Sequence, residues 1–374
     1  MNARWVEIDL AALRENFRSL RRCLGNATRV MAVVKSDAYG HGMLPAARCL
    51  AEEGVTALGV AEVGEGVMLR RHGITADIAV FLGAANDEIA DVVQYNLQPV
   101  VFDKQQVAAL SRVACRSGAQ IGVHVKIDTG MGRIGILPRE IPAFLSCLRQ
   151  AKNVYPVGFM SHCPLADGDD AGPAVAQNTL FAETVSAFDG LWPDKPALHI
   201  ANSAALLRFP DMHWDMVRPG LSLYGCRPAD DEWARKASVR PVMSFKTRVL
   251  QVKEVPAGYG VSYGRTYVTP GKSLLAVLPV GYNDGYLRSL SNKAEVLVRG
   301  RRAPQRGRVC MNVTVIDVTH IPGVVPGDEV TLMGCQQGGE ITADELAGWM
   351  GTINYEVLCL FGNRNKRVYL SSHE

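Results

Sequence analysis

The sequence predicts an α/β protein in which an N-terminal (β/α)8 TIM-like barrel precedes a C-terminal, predominantly β domain. Short apolar segments recur along about 220 residues, separated mostly by amphipathic helical stretches, and about eight such repeats suit a closed barrel. The alternation requires parallel strands with right-handed crossovers. No G-x-G-x-x-G follows the first strand, which disfavours a doubly wound sheet. After Gly225 the alternation stops, and short β segments separated by glycine-containing turns replace it.

The composition is that of a globular protein with large cores. Of the 374 residues, 48% are hydrophobic and 21% are charged, which excludes a disordered chain, a collagen or a coiled coil. The net charge of +3 gives no strong field for nucleic acid or an anionic membrane. No apolar run approaches the ~20 residues of a membrane span, and the N-terminus lacks the apolar stretch of a secretion signal. We therefore expect a cytoplasmic protein without nucleic-acid or membrane partners.

The cysteines and histidines predict neither a disulfide framework nor a metal site. The nine cysteines are scattered, mostly flanked by apolar residues, and form no C-x-x-C pair. We expect buried, reduced thiols. His41, His162 and His199 lack a consistent ligand spacing, so no metal is predicted.

The elements of the barrel domain follow from apolar runs and helix signals. A strand at residues 5–9 and a helix at residues 10–24 come first. Helices at residues 104–116 and 138–152 illustrate the connections, and the second opens with a proline, whose missing N–H costs nothing there. Further apolar runs predict strands at residues 30–34, 57–61, 78–82, 99–102, 121–127, 154–160, 197–200 and 216–217.

The second domain begins after a polar segment, residues 227–238, which is typical of a linker or an exposed connection. One late helix, residues 342–350, opens with a capping box of Thr342 and Glu345. The predicted domains are residues 1–237 and 238–374, and the strand at residues 1–9 can pack with either. Strand segments are predicted at residues 242–255, 272–279, 294–298, 312–318 and 328–332.

The first barrel strand ends in a lysine. Lys35 follows four apolar residues, and functional side chains of such barrels lie at the carboxyl ends of strands. A partly desolvated lysine has a lowered pKa and a free amine suited to Schiff-base chemistry. An isolated lysine at a strand end more often extends its ammonium group into water. The neighbouring residues, Lys-Ser-Asp-Ala-Tyr-Gly-His-Gly at 35–42, favour the functional interpretation.

This segment resembles the cofactor-lysine signature of the alanine racemases, fold-type III enzymes that use pyridoxal 5′-phosphate (PLP). Eight further motifs match in the family's order, at residues 125–133, 161–162, 199–203, 217–220, 260–264, 281–286, 310–312 and 354–356. The resemblance extends from the N-terminal strand almost to the C-terminus. Single motifs are weak, but this number in the correct order is specific. The resemblance implies a barrel with a following β domain, favours packing of the first strand on the latter, and implies PLP as cofactor.

The resemblance also implies two catalytic bases. Lys35 would hold PLP and act on one face of the substrate Cα, while Tyr263 of a neighbouring subunit would act on the other. A phenol with a pKa near ~10 is a poor base unless its anion is stabilised, a role we expect for His162 and Arg218. Arg218 would face the pyridine nitrogen, and a guanidinium cannot accept its proton. Because the ring nitrogen then stays unprotonated, we expect less transamination. Taken alone, Arg218 or Tyr263 could equally lie at the surface.

The remaining cofactor and substrate residues follow from the same motifs. Ser203 opens a predicted helix, whose free N–H groups suit a phosphate, although alone it would suggest a plain N-cap. Arg133 offers a planar donor fork for the cofactor's phenolic oxygen and the substrate carboxylate. By resemblance, the Gly220-Leu221 backbone and the hydroxyls of Tyr39 and Tyr355 complete the phosphate site.

Three positions bear on the substrate. Met311 resembles the family's substrate-contact position, and Tyr282 forms with Tyr355 the pair that narrows the entrance to suit a side chain as small as methyl. Lys126 occupies a position that carries a carbamate in some members, which we hold as a hypothesis. Asn312 stands where the family commonly has Asp, which could alter substrate positioning or the pKa of Tyr263.

We therefore expect a racemase that interconverts L- and D-alanine and supplies D-alanine for peptidoglycan synthesis. Alternatives are a broad-specificity or serine racemase, a fold-type III amino-acid decarboxylase, and a non-enzymatic PLP-binding homeostasis protein. Tyr263 and Arg218 argue against the decarboxylase, and the second domain argues against the last alternative. A homodimer with shared active sites is expected, because a tyrosine that serves a neighbour's cofactor leaves a monomer inactive.

Overall fold

The computed structural model describes residues 3–188 and 190–370. The chain divides into two compact units. The barrel unit comprises Leu13–Ala38 and Met43–Val239. The β unit contains the described residues up to 12, the short segment Tyr39–Gly42, and the chain from residue 240 onward. Strand β1 (Arg4–Asp9) belongs to the β unit, and helix α1 (Leu10–Arg22) follows it.

The barrel unit is built on eight parallel strands, in the order β8-β7-β6-β5-β4-β3-β2-β9. The end strands β8 and β9 are neighbours, because the Asp215 N–H donates to the Leu198 carbonyl and the Arg218 N–H to that of Ala201. The sheet is thus nearly closed, which confirms the predicted (β/α)8 barrel. The strands are β2 (Arg29–Val33), β3 (Ala57–Val60), β4 (Asp77–Val80), β5 (Gln98–Val101), β6 (Ile121–Lys126), β7 (Val154–Met160), β8 (Ala197–His199) and β9 (Met216–Val217).

Helices connect most of these strands. The helix at Lys104–Ser117 shows why: Asp103 caps its first turn through the Gln106 N–H, Gly118 ends it at φ 67°, and apolar side chains recur on its inner face. The helix predicted at 138–152 begins with a 3-10 turn at Pro138–Glu140. The helices are α2 (Met43–Glu52), α3 (Val63–Arg71), α4 (Ile89–Gln94), α5 (Lys104–Ser117), α6 (Ile141–Gln150), α7 (Gly172–Ser186) and α8 (Ser203–Arg208).

Within its described residues, the β unit contains three sheets. A seven-stranded sheet has the order β16-β15-β18-β10-β1-β20, with β19 beside β18; a three-stranded sheet has the order β11-β14-β17, and β12 pairs with β13. The strands are β10 (Met243–Arg248), β11 (Gln251–Val255), β12 (Gly260–Val261), β13 (Tyr267–Val268), β14 (Ser273–Leu278), β15 (Glu295–Val298), β16 (Arg301–Pro304), β17 (Thr314–Asp317), β18 (Glu329–Gln336), β19 (Gly339–Ile341) and β20 (Arg367–Leu370). The described part of this unit also contains the α-helices α9 (Ala343–Met350) and α10 (Asn354–Arg364).

Several predictions for the second half need correction. The single strand expected at 242–255 is two strands, β10 and β11, which join different sheets. A second late helix, α10, was not predicted, because its N-cap Ile353 offers no capping side chain. The segment 227–238, expected to be a linker or an exposed connection, is mostly exposed and lies within the barrel unit, where only Ala234 and Ala237 are buried. The first strand pairs antiparallel with β10 and parallel with β20, so it packs within the β unit, as the resemblance led us to expect.

The cysteines are less buried than expected. The nine cysteines form no disulfide within the described residues, but only Cys49, Cys163 and Cys226 are buried. None of the helices in residues 3–188 and 190–370 combines the length and the apolar composition that a membrane span requires.

Candidate active site

Lys35 is followed by a turn of left-handed helix. Lys35 itself is half-buried just beyond β2. Ser36, Asp37, Ala38 and Tyr39 all have φ of 54° or 55°, a conformation that costs a non-glycine residue about 1–2 kcal/mol each. Four such residues in succession require compensating contacts, and they fix the direction in which the chain leaves the barrel strand.

Glu65, in the first turn of α3, supplies one such contact. Its Oε1 accepts hydrogen bonds from the Ser36 N–H at 2.6 Å and the Asp37 N–H at 3.4 Å, while its Oε2 accepts one from the Ala61 N–H at 2.7 Å. One carboxylate therefore ties the residues after Lys35 to the end of β3. Sequence reasoning missed Glu65; the available signal was an acidic residue in the first turn of the helix that follows β3.

A loop closed by Asp128 presents Arg133. Asp128 Oδ1 accepts hydrogen bonds from the N–H groups of Gly130, Met131 and Gly132 at 2.8–3.1 Å. Burial alone would raise the pKa of this carboxyl, but these bonds outweigh it and lower the pKa. The glycines adopt positive φ, 137° at Gly130 and 67° at Gly132, which explains their place in the motif. Arg133 is exposed at the end of this loop.

Cations converge at the carboxyl ends of the barrel strands, the mouth of the barrel. Lys126 is 7% exposed, and burial, with Arg218 and Arg133 nearby, lowers its pKa well below the usual value. Burial and the charges of Arg218, Lys126, Arg133 and Lys35 likewise lower the pKa of His162. The lysine and histidine are therefore driven toward their neutral forms, and the site as a whole favours an anionic ligand.

Arg218 is buried, and the protein occupies most of its donors. Nη1 donates to His199 Nδ1 and to the His199 carbonyl, both at 2.8 Å, while Nη2 donates to the carbonyls of Ser161 at 2.5 Å and Ile200 at 3.1 Å. A guanidinium has five N–H donors. The fifth, Nε–H, has no partner in the described ranges 3–188 and 190–370. The burial of Arg218 excludes the alternative of a surface arginine.

Ser203 and the chain after β9 form a polar cradle. Asn202, not Ser203, caps α8 by accepting the Ala205 N–H. The Ser203 Oγ instead accepts the N–H groups of Gly220 at 3.0 Å and Ser222 at 3.3 Å, so its own proton is left to donate. The Ser222 hydroxyl is buried and has no partner in the described part of the chain. Leu221 lies between them, buried.

The β unit carries the predicted tyrosines and methionine. Tyr39 and Tyr355 have their ring centroids 5.9 Å apart. Tyr39 is 8% exposed, and burial, with Tyr355 and Cys359 nearby, raises the pKa of its hydroxyl. Tyr39 is therefore a neutral donor at physiological pH, as a phosphate-binding hydroxyl must be.

Tyr263 lies on a strained loop of the β unit. It is 72% exposed, and Ser262 before it has φ 62°. The Ser262 Oγ donates to the Arg308 carbonyl at 2.6 Å and lies 3.3 Å from Cys310 Sγ. These contacts tie the Tyr263 loop to the segment that leads into Met311.

Tyr282 and Met311 lie on two segments that approach closely at Gly281. The Tyr282 N–H donates to the Cys310 carbonyl at 3.1 Å, and the next N–H, of Asn283, donates to the Met311 carbonyl at 3.0 Å. A Cβ at Gly281 would lie 2.1 Å from the Cys310 carbonyl oxygen, which explains the glycine. Met311 is 56% exposed and Tyr282 is half-buried.

The predicted site residues thus fall into two groups, each assembled within its own unit. The barrel unit brings together Lys35, Arg133, His162, Ser203, Arg218, Gly220 and Leu221; the β unit contains Tyr39, Tyr263, Tyr282, Met311 and Tyr355.

The barrel group suits a ligand such as PLP. Lys35 supplies an amine, Arg218 one unpaired N–H, and Ser203 and Ser222 hydroxyls beside a glycine. The orphaned Ser222 hydroxyl in particular indicates an additional acceptor in this cradle, because buried hydroxyls are normally hydrogen-bonded. A phosphate at the cradle, a ring nitrogen at Arg218 and an aldehyde at Lys35 would use every one of these groups.

Comparison with known proteins agrees with this assignment. A family model described as the N-terminal domain of alanine racemase matches residues 8–228, and one described as its C-terminal domain matches residues 242–369. Alanine racemases of Halothermothrix orenii and Desulfovibrio desulfuricans are 44% and 43% identical over 98% of this chain and 96% and 98% of their own lengths.

Solved structures give the same result. The alanine racemase of Clostridium difficile superposes with a TM-score of 0.92 at 33% identity, covering 100% of this chain and 97% of that one. That of Bartonella henselae, described with covalently bound pyridoxal phosphate, has a TM-score of 0.88 at 25% identity and covers 99% of this chain and 100% of that one. The chain belongs to the alanine racemase family.

Proposed function

We propose that this protein is an alanine racemase that interconverts L- and D-alanine with PLP held at the mouth of its barrel. The observation that carries the proposal is the buried Arg218 guanidinium, which four hydrogen bonds anchor and whose Nε–H has no partner among the described residues. A donor-only group at the cofactor's ring nitrogen keeps that nitrogen unprotonated. This arrangement disfavours the decarboxylase alternative, because a strong electron sink would call for a carboxylate there.

PLP, when bound, withdraws electrons through the substrate amine, which makes the proton on the substrate Cα removable. The chain's own residues do the rest. Lys35 would hold the cofactor, and its amine would remove or return a proton on one face of Cα. Arg133 orients the substrate carboxylate. Ser203, Gly220, Leu221 and the hydroxyls of Tyr39 and Tyr355 hold the phosphate, with Ser222 as a further donor.

Inversion needs a second base on the opposite face of Cα, and we assign it to Tyr263 of a neighbouring protomer. Its side chain is 72% exposed on a loop held by Ser262, as a group that serves another chain must be. His162 at the barrel mouth is driven toward its neutral form, so it can accept or donate a hydrogen bond in the chain that stabilises the phenolate.

The substrate and setting follow from the same assignment. Met311 contacts the substrate, and Tyr282 and Tyr355 narrow the entrance so that alanine is preferred over serine and larger amino acids. The protein acts as a homodimer in the cytoplasm, and its D-alanine supplies peptidoglycan synthesis.

The test is proton exchange at Cα. The protein, loaded with PLP, is incubated in D₂O with L-alanine and, separately, with L-serine and L-lysine; NMR follows loss of the Cα proton, and a chiral assay follows the D-enantiomer. Exchange of L-alanine accompanied by D-alanine, with little turnover of L-lysine, is expected. Bound cofactor without exchange, or CO₂ release in place of inversion, would contradict the proposal.

A further inference from the structure

A chain of buried side chains runs from Arg218 into the barrel, and the chemistry above does not use it. His199 Nδ1 lies 2.8 Å from Arg218 Nη1, and His199 Nε2 lies 3.1 Å from His124 Nδ1. His124 Nε2 in turn lies 3.1 Å from Gln98 Oε1. The two imidazoles are 0% and 2% exposed and meet edge to face, with ring centroids 5.0 Å apart. This series of hydrogen-bonded side chains thus joins Gln98, the first residue of β5, to Arg218, the residue that follows β9.

Arg218 fixes the direction of every bond in this chain. A guanidinium only donates, so His199 Nδ1 must accept and the His199 proton must lie on Nε2. That proton is donated to His124 Nδ1, which places the His124 proton on Nε2, facing the Gln98 carbonyl oxygen. Gln98 ends the chain as an acceptor. Both histidines are therefore neutral, Nε2-protonated imidazoles, and no donor faces another donor.

Gly158 provides the space in which the histidines meet. It lies on β7, between the strands β6 and β8 that carry them. A Cβ at this position would be 2.4 Å from His124 Nδ1 and 2.9 Å from His199 Nε2. No residue larger than glycine leaves room for the bond between the two rings, so the backbone itself is adapted to this contact.

The charge environment agrees with neutral rings. Burial first, and then the cations of Arg218 and Arg29, lower the pKa of His124 to about 3. Burial, Arg218 and His124 likewise hold the pKa of His199 well below its usual value.

We propose that Gln98 and His124 are positioning residues for racemisation, which hold the Arg218 guanidinium in place through His199. The inference rests on the proposed role of Arg218. If His199 carried its proton on Nδ1, two donors would face each other at Nη1. The guanidinium would then have to turn, and its free Nε–H would leave the position from which it serves the cofactor's ring nitrogen.

The direct test is the tautomeric state of the two rings. PLP-loaded protein with 15N-labelled histidine is studied by NMR at neutral pH, and the variants His124→Gln and His199→Gln identify the two signals among the eight histidines. Both rings are expected to be neutral and protonated on Nε2. A charged ring, or a proton on Nδ1 of either one, would overturn the proposal. The result does not depend on whether the protein racemises alanine, so failure of the proposed function remains distinguishable.

A matched pair of variants tests the consequence for Arg218. In Gln98→Glu the new carboxylate favours a charged His124, whose Nδ1–H would oppose the Nε2–H of His199 and push that proton to Nδ1. We expect the altered tautomer, a shifted absorbance of the bound cofactor, and a kcat about 10- to 100-fold lower with a smaller change in KM. Gln98→Met removes the acceptor but does not reverse the direction of the hydrogen bonds. The His199 tautomer should therefore stay the same. Wild-type tautomers in Gln98→Glu, or altered tautomers with wild-type kcat, would overturn the proposal.

Gly158→Ala tests the same contact from the backbone. The added methyl should separate the rings and remove the NMR signature of a bond at His124 Nδ1. Gly59→Ala is the control, because its Cβ would overpack another side chain, the Phe81 ring at 2.4 Å. The control should lose stability yet keep the histidine signature. Loss of that signature in both variants alike, or in neither, would contradict a specific role for the gap at Gly158.

Discussion

Lys126 illustrates how position changes the chemistry of one side chain. Its amine is enclosed beside two arginines, and Asp128 is the nearby carboxylate that opposes them. Because burial and like charges favour the neutral amine, Lys126 can react with CO₂, and the resulting carbamate would place a negative charge near Arg133 and Arg218. The environment of Lys126, and not only the resemblance of its motif, therefore predicts the carbamate.

We predict that Lys126 is carbamylated when CO₂ is present. Protein equilibrated with 13C-labelled bicarbonate should show one carbamate signal by 13C NMR and the corresponding added mass under native conditions. Lys126→Arg, which keeps the charge, should show neither. A wild-type spectrum indistinguishable from that of the variant would refute the modification.

The second prediction for a single residue concerns Tyr263 as a catalytic base. Tyr263→Phe keeps the ring and removes the proton-transferring hydroxyl, so kcat for racemisation should fall about 10²- to 10⁴-fold. Exchange of the Cα proton from the enantiomer that Lys35 serves should persist in D₂O without inversion. Equal loss of exchange from both enantiomers would mean that Tyr263 does more than act as one base.

Much of the candidate site could be predicted at the residue scale, because Lys35, Arg133 and Arg218 lie in short motifs whose chemistry is local. Glu65, Ser222 and His124 could not. Each acts through a contact between chain segments far apart in sequence, and none has a residue type that is unusual for a helix start, a turn or a strand. Ser203 was identified correctly as part of a helix start, but only the structure distinguishes its position from that of the cap, Asn202.

At the scale of elements, the barrel strands were predictable because each is a short apolar run between helices. The left-handed turn after β2 was not, since Ser36, Asp37 and Ala38 have side chains that disfavour this conformation. Hydrogen bonds to Glu65 outweigh the local preference of these residues for other backbone conformations. The helix α10 was missed for a related reason: it lacks a capping side chain, so its start carries no local signal.

Glu65→Gln tests the turn. The amide offers one oxygen where the carboxylate offers two, so either Ser36 or Ala61 loses its acceptor and the free energy of unfolding should fall by about 1.5–3 kcal/mol. The kcat should fall as well, because Lys35 is no longer held in one direction. Urea unfolding and steady-state kinetics measure both.

Glu88→Gln is the matched control, because Glu88 also accepts a backbone N–H, that of Ala85 at 2.8 Å, with no contact to the turn. It should lose some stability and keep its kcat. An unchanged kcat in Glu65→Gln would show that the turn is set without this carboxylate.

For the whole molecule, the buried histidines make stability depend on pH. His124 and His199 have folded pKa values below the unfolded value near 6.5, so the unfolded chain binds more protons as the pH falls below that value. Stability should therefore be full above about pH 7 and decline below it, by about 1.4 kcal/mol per pH unit for each histidine. Urea unfolding between pH 7.5 and 5 checks this, with the ionic strength fixed. A flat profile would show that these rings are already charged in the folded protein.

The central claim is that one active site combines Lys35 of one protomer with Tyr263 of its partner, and hybrid dimers test it most directly. Lys35→Ala and Tyr263→Phe proteins, each nearly inactive, are unfolded together at equal concentration, refolded with PLP and assayed for D-alanine. Half of the dimers should be hybrids, each with one intact site, so activity should recover to about a quarter of the wild-type value. Activity no greater than the sum of the two variants measured alone would contradict the shared site.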